Sequence, residues 1–92
     1  MKAILTYITM IDGKAVEETR LFDTTKANKV CDIKNSFGNK VQEIYLTGNG
    51  VLFLYNINKG TLEAADQKQV RKWIGENEPD KYIKFFGEVE EG

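Results

Sequence analysis

The chain has 92 residues, 41% of them hydrophobic and 29% charged, with a formal net charge of −1. That length builds one modest core, and the composition is too apolar for a disordered chain. A single cysteine cannot form an internal disulfide, and no run reaches the roughly 18 apolar residues of a membrane span, so a cytoplasmic location without a membrane partner is expected.

Charge is unevenly spread. Glu76, Glu78, Asp80, Glu88, Glu90 and Glu91 face only Lys81 and Lys84 in the last seventeen residues, leaving that segment at −4 and the body mildly basic. Residues 1–87 read as one domain and 88–92 as an acidic tail.

At the start, "AILTYITMI" follows Met1-Lys2 in the manner of a signal peptide. Two threonines and a tyrosine interrupt it, however, and Asp12 follows without a small-residue cleavage site, so it reads as a strand. Residues 2–11 and 15–22 flank Asp12-Gly13, a dipeptide suited to the two positive φ angles of a type I′ hairpin. Asp23 then offers an N-cap, and Ala27, Val30, Ile33 and Phe37 recur at helical spacing before Gly38. This predicts a first helix over about residues 24–37.

Residues 40–47 and 51–57 form a second hairpin around "GNG", with a further strand, "TLEAA", after a turn ending at Gly60. Asp66 and Gln69 have the spacing of a capping box, which places a second helix from about residue 67, with Val70, Trp73 and Ile74 inward. Gly75 and Pro79 are expected to bracket its end. The segment "PDKYIKFFG" fits a short helix between Pro79 and Gly87 or a final strand, and its aromatic and β-branched content favours the strand. The expected fold is therefore α+β: a mainly antiparallel sheet of four or five strands with two helices on one face, in the order ββαβββα with an optional last strand.

The equipment for catalysis is thin. There is no histidine to activate Cys31 or Ser36, which is the one serine, and no acid cluster with calcium-loop spacing. No cofactor, metal site or catalytic residue is assigned. The glycines of "TGNGVLFLY" lead into a strand rather than a helix N-terminus, which removes a phosphate loop.

Strand alternation is more informative. One parity collects Ile4, Thr6, Ile8 and Met10 with Ile44, Leu46, Leu52 and Leu54, an aliphatic set expected beneath the helices. The other collects Tyr7, Tyr45, Phe53 and Tyr55, which need cover either from the tail "KYIKFF" or from another molecule. A non-enzymatic module that binds another protein, or itself as a dimer, through these four residues or the acidic segment is the leading expectation. Small inhibitors and accessory proteins of bacteria or phages share this profile. Nucleic-acid binding ranks second, through the tyrosine face or through Lys26, Lys29, Lys68, Arg71 and Lys72. A small carboxylate-based enzyme ranks third.

Overall fold

A computed structural model describes residues 1–92. The elements run β1 (Lys2–Ile11), β2 (Lys14–Asp23), β3 (Asn28–Lys34), β4 (Lys40–Leu46), β5 (Leu52–Asn56), β6 (Thr61–Ala64), α1 (Gln67–Asn77) and α2 (Pro79–Phe86). β1 and β2 pair as a two-stranded antiparallel hairpin, and β3-β4-β5-β6 form a four-stranded antiparallel meander. The α+β class, the antiparallel pairing and helix α1 follow the sequence pattern.

Three layers result. The meander is the middle one, and its two faces hold separate cores. On one face Ile44, Leu46 and Leu52 pack with Val30, Cys31 and Ile74, and Val70, Trp73, Tyr82, Phe85 and Phe86 close over them from the helices. On the other face Phe53 and Leu62 meet Tyr7 and Phe22 from the hairpin, with Leu5, Tyr45 and Tyr55 around them. Ile44 opposite Leu54 and Tyr45 opposite Phe53 fix the register that keeps the aliphatic and aromatic sets apart.

Local chemistry accounts for the elements. Asp12 at φ 51° and Gly13 at φ 77° turn β1 into β2 with Ile11 paired to Lys14, the two-residue hairpin expected of Asp-Gly. Asp66 accepts from the Gln69 backbone N–H at 3.0 Å and starts α1 where the capping pattern places it. β6 follows the turn that ends at Gly60, as anticipated.

Three readings are corrected. The helix expected over 24–37 is strand β3. Its spacing of three arises from a β-bulge between Lys29 and Cys31, which adds Val30 to one strand and buries Val30 and Cys31 in the same core. Phe37, the last residue of the supposed helical stripe, is 87% exposed. Asp23 accepts from the backbone N–H and hydroxyl of Thr25, holding a turn into β3, and Gly38 closes the β3–β4 loop with its N–H on the Asn35 carbonyl.

The second correction concerns residues 79–87, where Pro79–Phe86 form a helix rather than a strand and Gly87 caps it. Pro79 occupies its first turn, Asp80 and Lys84 complement its dipole, and the Gly87 N–H bonds the Ile83 carbonyl. Gly75 does not end α1 but lies inside it: a Cβ there would stand 3.3 Å from the Tyr82 ring, so its lack of a side chain lets α2 come close.

The third correction is the facing of β1. Ile4, Ile8 and Met10 do not lie beneath the helices but point to solvent, while Leu5 and Tyr7 face the meander. A hairpin in its own sheet is free to turn its aromatic side inward, because no shared register ties it to β4 and β5.

Candidate functional site

The hairpin is what covers the tyrosine-bearing face. Phe53 is fully buried, Phe22 lies 5.0 Å from its ring, Tyr45 stacks on it at 5.4 Å, and Tyr7 meets Phe22 edge-on at 5.8 Å. Tyr7 is buried, and Tyr45 and Tyr55 are half-buried. In this fold Phe53 and the Tyr7 ring therefore bind the chain's own layers, and the tail, folded as α2, packs against the opposite core.

Polar groups finish this layer. The Tyr7 hydroxyl donates to Glu18 Oε2 at 2.9 Å, and Arg20 Nε donates to both the Tyr7 oxygen, at 3.1 Å, and Glu18, at 3.0 Å. Tyr7 and Glu18 stand opposite one another across the hairpin. Burial, with the neighbouring Glu18 carboxylate, raises the Tyr7 phenol, while the bonds from Tyr7 and then Arg20 lower Glu18.

A second ionic cluster sits on β3 and β4. Lys29 Nζ lies 2.7 Å from Asp32 and 3.2 Å from Glu43, Lys40 Nζ lies 3.2 Å from Asp32, and the Tyr45 hydroxyl donates to Glu43 at 2.9 Å. Lys29 neutralises Asp32 Oδ1 from a direction off the hydrogen-bond axis, so that oxygen has a counter-charge without an aligned donor. Lys29, chiefly, and Lys40 hold Asp32 below the usual carboxylate range. Both carboxylates are thus engaged by cations.

The five basic residues do not share one patch. Lys26 lies in the turn before β3 and Lys29 belongs to the cluster just described. Lys68, Arg71 and Lys72 do lie together, on the side of α1 that borders an open groove of about 1270 Å³ against the hairpin. Arg71 stacks over the Phe86 ring at 4.4 Å, and Lys72 has only a loose 3.8 Å pairing with Glu76.

Cys31 is buried, and burial pushes its thiol up to about 11, an inert setting for a nucleophile. No group of three or more Cys, Asp or Glu side chains has the arrangement of a metal site, and no helix is long and apolar enough to cross a membrane.

One surface was missed by the sequence reading. The outer side of the hairpin carries Ile4 at 72% exposure, Ile8 at 59%, Met10 at 65% and Leu21 at 63%. Ile4 pairs with Leu21 across the strands, and between this pair and Ile8 the Thr6 and Thr19 hydroxyls bond one another at 2.8 Å. Glu17, opposite Ile8, is the one carboxylate within this stripe. The missed signal was that β1 is apolar on both parities, as a strand is when each of its faces meets something. Known protein families, curated proteins and solved structures contain no match to this chain.

Proposed function

We propose that the chain is a small non-enzymatic protein-binding module that docks through the outer face of its β1–β2 hairpin. The observation that carries this reading is the exposure of four large aliphatic side chains, Ile4, Ile8, Met10 and Leu21, on one face of one hairpin. Fully burying such a side chain is worth about 1.5–3 kcal/mol, so their joint exposure is costly unless another surface meets them. The two central threonines satisfy each other, which lets the middle of the stripe leave water without an orphaned hydroxyl.

The occupant that best fits this face is a second copy of the chain. The stripe offers a partner almost no charge to read, and two such faces related by a two-fold axis stack apolar on apolar at the spacing of packed sheets. The four residues first expected at the interface support the docking face from within: Tyr7 and Phe53 anchor the hairpin on the meander, with Tyr45 and Tyr55 at their sides.

Sedimentation velocity over a range of concentrations tests the reading. The wild-type protein is expected to show a reversible monomer–dimer equilibrium. The Ile4→Ser/Leu21→Ser variant should raise its dissociation constant about a hundredfold, the equivalent of losing two partly buried side chains, with its melting curve unchanged at dilutions where the wild type is monomeric. A wild-type protein that stays monomeric at every concentration, or a double variant that dimerises as well as the wild type, overturns it.

A further inference from the structure

The groove between the hairpin and α1 borders the proposed docking face and shares Ile8 and Met10 with it. One wall is the length of β1 from Thr6 to Ile11, and the other is the side of α1 that carries Lys68, Arg71 and Lys72. β1 hydrogen-bonds to β2 alone, so its second edge presents backbone N–H and C=O groups along this wall without a strand partner. Val51 and Ala64 give the groove an apolar floor.

Charge in the groove is one-sided. Its two carboxylates, Glu18 and Asp66, are already committed, the first to Tyr7 and Arg20 and the second to the N-terminal cap of α1. Lys68 and Arg71 form no ion pair within the chain, and Lys72 forms only the loose one with Glu76. An unpaired strand edge thus faces three cations across an apolar floor.

We propose that this groove binds an extended acidic segment of a partner protein, which adds as a strand to the free edge of β1 and turns its carboxylates toward Lys68, Arg71 and Lys72. Backbone pairing along β1 supplies register, and every second side chain reaches the helix wall, so the segment that fits alternates acidic with small apolar residues. Six residues of edge span about 20 Å, room for one short strand. A polynucleotide fits less well: the rings that would stack on bases are packed under the hairpin, and a strand edge has nothing to pair with in a sugar–phosphate chain. Ile4 and Leu21, the residues whose substitution tests the dimer face, are not part of the groove, so the two readings fail separately.

Fluorescence anisotropy with a labelled decapeptide of alternating Glu and Val tests this, with amide hydrogen exchange as the second readout. The peptide is expected to bind the wild-type protein and to slow exchange along Thr6–Ile11. Its affinity should fall about tenfold in the Lys68→Glu/Lys72→Glu variant, whose two sites are exposed. N-methylation of alternate peptide nitrogens should abolish binding to the wild type, a control that needs no variant to fold. The proposal is overturned if the Glu–Val peptide does not bind, if a Lys–Val decapeptide binds equally well, or if protection falls outside β1. Tighter binding of a short oligothymidylate than of the peptide also overturns it and assigns the helix wall to nucleic acid.

Discussion

The two faces of the meander solve one problem in different ways. The helix side is aliphatic, with Ile44 and Leu52 fully or almost fully buried beneath two helices that follow β6 directly in the chain, and Ile74 of α1 buried against them. The hairpin side is aromatic, with Phe53 at its centre and a cover made from the first two strands. A helix seals a sheet with an apolar stripe and leaves a polar outer side, as the lysines of α1 do. A two-stranded ribbon has flat faces of alternate residues, so an apolar strand that seals one side exposes apolar residues on the other. The exposed Ile4, Ile8, Met10 and Leu21 are the consequence of using a ribbon as a lid.

The sharpest way to break this comparison is to hollow each core in turn. Phe53→Ala removes the ring between Phe22 and Tyr45 and should cost about 3–5 kcal/mol in urea unfolding, while Ile74→Ala should cost about 2–5 kcal/mol. Each cost is a large part of the stability of a chain this size. Native-state hydrogen exchange separates them: Phe53→Ala should speed exchange first in β1 and β2, and Ile74→Ala first in α1 and α2. If either substitution loosens both covers equally, the two layers are one cooperative unit and the contrast fails.

A smaller effect is expected at Gln67, which ties the helix cover to the sheet. Its side-chain oxygen accepts from the Leu52 N–H at 2.7 Å and its amide donates to the Leu52 carbonyl at 2.8 Å. Beyond Ala64, the last residue of β6, this side chain imitates the next residue of a strand. Gln67→Leu keeps much of the volume but strands both Leu52 backbone groups in a buried site, and should cost about 1–3 kcal/mol in the same unfolding assay. No equivalent bridge fastens the hairpin, whose polar bonds, those of Tyr7, Glu18 and Arg20, run within it.

How much of this was legible depends on the range of the signal. Asp12-Gly13 and the Asp66 cap act over a few residues, and both elements stand where their chemistry puts them. Alternation in "EIYL" and "LFLY" sorted Ile44, Leu46, Leu52 and Leu54 from Tyr45, Phe53 and Tyr55, and it also showed that the second set needed cover. The identity of the cover is set by long-range packing, for which the sequence of β1 carries two answers, since either of its parities makes an apolar face. β3 carries a helical spacing because the bulge brings Val30 into the same core as Ile33, while Ala27 lies before the strand and packs against the aromatic core. Gln67 offers no local signature, because a glutamine in the first turn of a helix is ordinary until its neighbour is known.

The smallest expected effect is a pH dependence at the edge of the hairpin side. By the register of β3 on β4, Lys29 and Asp32 lie on the same face as Tyr45 and Glu43, so the cover there is ionic rather than aromatic. Asp32 has its carboxyl lowered, first by Lys29 and against the opposing effect of burial. A carboxyl that is more acidic folded than unfolded stabilises the fold above its unfolded value near 3.9, and this contribution fades as pH falls toward the folded value. The wild-type melting temperature should therefore drop below about pH 4, and Asp32→Asn should flatten part of that acid limb while lowering stability at neutral pH. Asp23, lowered by its bonds from Thr25, sits on the turn that leads out of the hairpin and titrates in the same window. The residual slope in Asp32→Asn reports the rest of the carboxylates, and Asp23→Asn added to it should flatten the limb again. An acid limb unchanged by Asp32→Asn would mean that Lys29 and Lys40 shield the edge of β3 without stabilising it, leaving the aromatic cluster to hold that face by itself.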